Sequence, residues 1–531
     1  MTLRDFSFLY VNKEDKHTCK IPHFTSVIND LGLSTLLHSS AFDISAFVSD
    51  DAELIRYRQS LFDDFSACDE LYDLFVKIRG MLRDMHEINR VSGVTETNET
   101  NLYSIKQIEL YIEFIKVAYE GFTNLHDRLK SPQLLSFAEM INGAYQSSEF
   151  QNLCTETEKM LLSVANIKSV TVGFNLNAQL EPYECGLLSI NTDFVKSGNI
   201  IDRLMSADFS DELTALCPLV PTQRTFKKQE YETASIIFMD AMKKSLRSGI
   251  GKWQSVVRGF LMSETSDYIA LLPEMEYIIF GATIIRKLKK HKLPMCRPTI
   301  HDKAYGICQI CGFYNPVTAL ANPNIKQIKN DFSFDADGTV YICTGPNGGG
   351  KSVFTRAIGI IYLFCGMGLP LPAKSAEISP VDMICTIFTS KAQGLSNKGG
   401  RLDEECAIIR EVFSRITPHS LVLMDETLSS TGAFEGAMIA RELICALRKI
   451  GAKGIFTTHM HELVGMVDEM NEETGGGIDT ITTEVTAGRR TFRISRRIPD
   501  GKSYARDIAE KYGISKTRLI ELNSGDNDGT P

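Results

Sequence analysis

Apolar residues recur at three- and four-residue steps through positions 1 to about 165, set among charged residues, and this spacing predicts amphipathic helices. In 104–129, Ile105, Ile108, Leu110, Ile112, Phe114, Ile115 and Val117 form one broad apolar face. The pattern changes at Asn166. Through 166–191 β-branched residues alternate, with Gly and Asn between them, which predicts a few strands and a hairpin. Helical spacing returns from about Gln229 to Lys290 and stops at the basic run RKLKKHK (286–292) before Pro294. From about Arg297 strands alternate with helices, the pattern of an α/β nucleotide-binding domain with a mostly parallel sheet. The simplest organisation is an all-α core and lever domain over 1–295 with a small β-containing insertion over 166–225 at its tip. An α/β domain with C-terminal dimerisation helices would follow over 296–525, then a disordered tail over 526–531.

Composition narrows the class. With 43% hydrophobic and 23% charged residues the chain reads as soluble and globular. The most apolar stretch, 357–373, is shorter than a bilayer span and carries glycines and prolines, so a buried helix running into a loop is expected and no membrane anchor. Thirteen irregularly spaced cysteines and no secretory signal point to a reducing, cytoplasmic setting without disulfides. A net charge of −9 gives no general attraction for nucleic acid, so DNA contact would need local basic surface.

The chemistry begins at VYICTGPNGGGKS (340–352), an apolar strand followed by Gly345, four residues, Gly350, Lys351 and Ser352. This is the spacing of a phosphate loop: glycines let backbone N–H groups turn inward on a phosphate, and the next helix adds its positive end. Gly345, Pro346, Asn347, Gly348, Gly349, Gly350, Lys351, Ser352 and Val353 are the candidate ATP-binding residues. Lys351 should reach the β- and γ-phosphates, and the Ser352 hydroxyl should ligate Mg²⁺. A second buried strand, SLVLMDE (420–426), ends in two carboxylates. On a neighbouring parallel strand Asp425 would stand beside the magnesium and Glu426 would polarise an attacking water. A third, within GIFTTHMHEL (454–463), ends at Thr457, Thr458 and His459, with His459 favoured over His461 as a sensor of the γ-phosphate or holder of the water.

Together these segments resemble the ATPase domain of the MutS family of DNA mismatch-repair proteins. The family's loop is similar to TGPNGGGKS, with methionine in place of Gly348 and threonine in place of Val353. Pro372 and Ala373, LVLMDE (421–426), TTH (457–459) and GKSYARDIAEKYGI (501–514) match in order, and the resemblance covers roughly 297 to 525. It implies an ABC-like P-loop ATPase using ATP and Mg²⁺, Asn347 in the nucleotide loop, His459 as the switch histidine, and a homodimer formed through the ATPase domain, acting on DNA. Two segments depart from the family pattern: TLSSTGAFEG (427–436) keeps only Thr431 and Gly436 in register, and GLSNKGGRLDEE (394–405) lacks the expected serine–threonine pair. The adenine-stacking aromatic has no evident counterpart.

Mismatch-repair members carry an N-terminal domain that wedges a phenylalanine beside the faulty base, and here the helical pattern starts almost at once. GFYN (312–315) matches the wedge only superficially, because it lies just before the ATPase core. The insertion over 166–225 carries four basic against seven acidic residues, a balance that repels phosphates. Two functions follow: a DNA-associated MutS-like ATPase without mismatch reading, or a nucleotide-switched ATPase whose partner is a protein. Arg286, Lys287, Lys289, Lys290 and Lys292 suit a helix C-terminus, and Arg489, Arg490, Arg493, Arg496 and Arg497 suit a solvated strand edge. Strand alternation accounts for Cys308 and Cys311 without zinc, and 508–522 has the look of a helix-turn-helix whose expected use is dimerisation.

Overall fold

A computed structural model describes residues 3–11, 19–36, 44–93, 102–165, 168–179, 182–193, 220–221, 264–346, 348–388, 401–429, 431–486, 489–497 and 514. Asn347, most of the 394–405 segment, the 501–513 stretch and the tail lie outside the described residues, as does most of the insertion beyond its first hairpin. The chain divides into two compact units. One comprises 1–4, 73–129 and 134–275, and the other 5–72, 130–133 and 276–531.

The first unit is built on the helices Asp69–Gly93, Leu102–Leu125, Pro132–Gln146 and Ser148–Ala165. The buried face of Leu102–Leu125 runs through Ile108, Tyr111, Ile115, Ala118 and Phe122, so Tyr111 and Ala118 lie closer to its centre than Ile112 and Val117, which are half-buried. The steps of three and four are kept. Counting apolar residues alone displaces the centre, because Tyr111 buries its ring and a small Ala118 admits a neighbour. Phe75, Phe122 and Phe137 meet edge to face, at centroid distances of 6.3 and 5.5 Å. The strands β1 (Ser169–Leu176) and β2 (Pro182–Asn191) form the expected antiparallel hairpin, and β3 (Val220–Pro221) adds to β2.

The second unit holds two sheets. The strands β4 (Thr299–Ile300), β5 (Cys308–Phe313), β6 (Asn330–Phe334) and β8 (Ser375–Ile378) make a mixed sheet in the order β4-β8-β5-β6. Along β5 burial alternates, so Cys308 points inward and Cys311 outward. The larger sheet contains β7 (Val340–Thr344), β9 (Met383–Phe388), β10 (Ser420–Asp425), β11 (Lys453–Thr457), β12 (Ile478–Thr486) and β13 (Arg489–Arg496), ordered β13-β12-β7-β11-β10-β9. Every neighbouring pair in it is parallel except β12 and β13. β7, β10 and β11 are buried along their whole length, which is why they read as continuous apolar runs rather than alternating ones.

The helix Lys351–Met367 follows β7 and is almost wholly buried; it ends at Gly368, whose left-handed backbone (φ 76°) lets its N–H and that of Leu369 return to the Cys365 and Phe364 carbonyls. The apolar 357–373 run is thus a core helix and a loop. One stretch, Thr265–Lys290, is long and apolar enough by length and composition to cross a bilayer among the described residues. Tyr277, Ile278, Ile285 and Leu288 within it are buried against protein.

The described residues of 5–11, 19–36 and 44–51 are mostly irregular, although the sequence pattern predicts helix there, and they belong to the second unit. Phe6, Phe8 and Leu9 are fully buried, and the Lys20 backbone pairs with β9, donating to Asp382 and accepting from Ile384. Arg58, also buried, donates to the Leu9 and Phe47 carbonyls and lies over the Tyr10 and Tyr277 rings.

Candidate functional site

Register brings the predicted residues together. Asp425 at the end of β10 lies opposite Thr457 of β11, and Thr457 lies opposite Cys343 of β7, so three strands finish in one row at their carboxyl ends. The glycine-rich segment leaves β7 from that row. Gly345 (φ 134°), Gly348 (φ 71°) and Gly350 (φ 95°) occupy backbone that side chains rarely adopt. A Cβ on Gly345 would stand 2.2 Å from Thr483 Oγ1, and one on Gly349 would stand 2.8 Å from the Pro346 carbonyl. Only glycine fits this cradle.

Lys351 is buried and its amine donates to the carbonyls of Gly345 (2.8 Å) and Pro346 (3.3 Å), curling back over the segment. Ser352 Oγ donates to Asp425 Oδ1 at 3.0 Å. Thr355, one turn further on, meets the Thr457 hydroxyl at 2.8 Å and ties the helix to β11. Burial pushes the Asp425 carboxyl up from its ordinary value; the Ser352 hydrogen bond and the charges of Arg356 and Lys351 oppose that shift, while Glu426 adds to it. A hydroxyl and a desolvated carboxylate are hard oxygen donors that fit Mg²⁺, and a cation would relieve the cost of burying Asp425.

Glu426 sits just past β10 with φ 55°, its N–H bonded to the Thr457 carbonyl at 2.9 Å. The left-handed turn takes the chain out of the strand at once, a conformation costing on the order of 1 kcal/mol and typical of functional turns. His459 is exposed beyond β11, and the His461 side chain lies outside the described residues. In the altered 427–436 segment Thr427 donates to the Ile387 carbonyl (2.8 Å), and the Leu428 N–H donates to Glu405 at 2.9 Å. Gly436 is closely walled, since a Cβ there would meet the Leu428 carbonyl at 3.2 Å.

Two residues of this neighbourhood, Asp30 and Arg356, lie outside the sequence motifs. Asp30, on the helix Phe24–Leu31, accepts a hydrogen bond from Thr386 of β9 at 2.6 Å. Burial raises its carboxyl above the ordinary value, Thr386 and Arg356 oppose the shift, and Asp425 adds to it, so Asp30 belongs to the same electrostatic neighbourhood. Arg356 follows Ser352 by four residues on one helix, a spacing that places both on the same face. Asp30 comes from the far end of the chain.

Beside the glycine-rich segment is a cleft of about 240 Å³, lined by Asn315, Ile328, Gly350, Val353, Phe354 and Phe492 among others. Ile328, Val353 and Phe492 are exposed there, an apolar mouth adjoining a polar cradle. GFYN (312–315) contributes to this wall. Phe313 is buried against Phe354, and Asn315 caps the helix Pro316–Ala321 while donating to the Val353 carbonyl at 3.1 Å. Within the basic clusters Lys289 pairs with Asp69 and Arg286 lies over Tyr72, while Arg496 meets Asp335 and Asp479.

The family model for MutS domain V matches residues 341–524. The chain is similar to the DNA mismatch repair protein MutS of Brevibacillus brevis, 32% identical over 212 residues, 39% of this chain and 23% of that protein. It is similar to the DNA mismatch repair protein MutS of Chlorobium phaeovibrioides, 30% identical over 240 residues (43% and 26%), and to Endonuclease MutS2 of Streptococcus thermophilus, 32% over 233 residues (42% and 28%). The matching region spans about a quarter of the length of these curated relatives.

Proposed function

Because this chain belongs to the MutS family by its domain V, we propose that it binds ATP with Mg²⁺, hydrolyses it, and uses the nucleotide state to govern its hold on DNA without reading mismatches. The observation that carries this reading is the Ser352–Asp425 hydrogen bond at 3.0 Å, formed where the glycine cradle and the end of β10 converge. Gly345 to Val353 hold the phosphates, and Lys351, freed from the Gly345 and Pro346 carbonyls, turns its charge onto them. Magnesium held by Ser352 and Asp425 would neutralise charge on the phosphate oxygens. Glu426 accepts a proton from the attacking water, and His459 orients that water or senses the γ-phosphate. The apolar mouth of Ile328, Val353 and Phe492 suits the adenine ring, with Phe492 as its stacking partner.

Completion of the site by a second copy is part of the proposal. Phe434 and Met438 on the helix Ala433–Ile450 and Ile408 on the helix Arg401–Phe413 are exposed apolar side chains on the elements flanking Glu426, as a homodimer face requires. A second reading, a protein partner in place of DNA, is favoured by the acidic insertion. Titration with duplex, branched and single-stranded DNA at several salt concentrations separates the two. Affinity that falls with salt and changes with nucleotide supports DNA; no binding at low salt with or without ATP supports the protein partner.

A further inference from the structure

Lys453 is a buried cation that the nucleotide site does not use. It opens β11 opposite Leu421 of β10, at the amino ends of the parallel strands, whereas Asp425 and Thr457 lie at their carboxyl ends. Only 6% of the residue is exposed. Among the described residues, no hydrogen bond or ion pair to its amine is found; its electrostatic neighbour is the buried thiol of Cys308. Holding an ammonium largely out of water with no counter-charge beside it is costly.

The amine is not sealed in. Its Nζ lies 3.3 Å from where a Cβ on Gly306 would stand, and Gly306, with φ 61°, closes the short turn Lys303–Tyr305. Both residues line a cavity of about 700 Å³ whose walls include Ile307, Phe334 and Pro418, with Tyr305 and His419 also lining it. Asp335, the carboxylate lining the same cavity, is already paired with Arg496 at 2.7 Å and accepts backbone N–H groups. The cavity therefore offers one buried cation, an apolar patch at Ile307, Phe334 and Pro418 within an otherwise mixed wall, and no carboxylate left to satisfy that cation.

We propose that this cavity binds a small molecule bearing an oxyanion, a carboxylate or a phosphate, with Lys453 as its counter-ion and Phe334 and Pro418 against its apolar body. The site stands apart from the 345–352 segment, so it holds whether or not that segment binds ATP.

Amine acetylation of the full chain, read at each lysine by peptide mass spectrometry, tests this with benzoate, inorganic phosphate and neutral benzamide as probes. Lys453 should be slowed about tenfold by saturating benzoate or phosphate and unaffected by benzamide, while exposed Lys326 is unaffected by all three. Protection by benzoate alone assigns a carboxylate ligand, and by phosphate alone a phosphate ligand. Unchanged labelling of Lys453 with both anions, or no labelling at all, overturns the proposal. Benzoate should also raise the melting temperature of wild type and of Lys351→Ala but not of Lys453→Met. An equal rise in Lys453→Met overturns it as well.

Discussion

Two lysines are buried among the described residues, and they differ in what meets the amine. Lys351 has the Gly345 and Pro346 carbonyls; Lys453 has none. Without ligand, Lys453→Met should therefore stabilise the protein by roughly 1–3 kcal/mol at neutral pH, because it removes a desolvated charge and keeps the volume. The pH dependence has a definite sign. Burial lowers the Lys453 amine from its ordinary 10.5, so the unfolded chain holds the proton more tightly and folding stability rises as pH climbs from the lowered value toward 10.5. The advantage of Lys453→Met over wild type should shrink across that window, a trend followed by denaturant melts at stepped pH. Lys351 was legible because its spacing from Gly345 has a mechanism attached. Lys453 was not, since its burial depends on β5 and β6 folding over the sheet from more than a hundred residues upstream.

At the scale of elements, local periodicity disclosed the helices and the three site strands, since each carries its own apolar run. The four-stranded sheet stayed hidden because β8 pairs with β4 and with β5 across long separations, and such pairing leaves no local pattern. Helix packing gives a paired prediction with opposite signs. A Cβ on Gly366 would stand 2.6 Å from Val48 Cγ1 and 2.9 Å from the Ser49 carbonyl, whereas nothing lies within 4 Å of one on Gly143. Gly143→Ala should gain about 0.5–1 kcal/mol from helix propensity, and Gly366→Ala should lose about 1–3 kcal/mol by overpacking. Urea denaturation that found both substitutions stabilising would contradict the close approach of the Lys351–Met367 helix to the Val48–Ser49 backbone.

In the whole molecule one unit holds the Ser352–Asp425 pair and the other holds helices and a hairpin. DNA binding through Lys and Arg contacts to phosphates should be blind to base pairing, so a G·T duplex and its paired control at equal salt should differ by less than roughly threefold, under about 0.7 kcal/mol. A tenfold preference in a competition assay would mean that part of the helical unit reads mismatches. Sedimentation at micromolar concentration should find a dimer, at least with ATP bound; a monomer in both states would remove the exposed Phe434 and Met438 face from the reading. The convergence of Ser352, Asp425 and Glu426 was legible from two motifs in order, while Asp30 entered only through the fold. In the proposed mechanism Glu426 performs the chemical step at a site that Lys351 holds. Single-turnover hydrolysis with bound radiolabelled ATP tests it most directly: Glu426→Gln should bind ATP as wild type does and cleave it at least about a hundredfold more slowly, with Lys351→Ala failing to bind. Cleavage by Glu426→Gln at the wild-type rate would contradict the account.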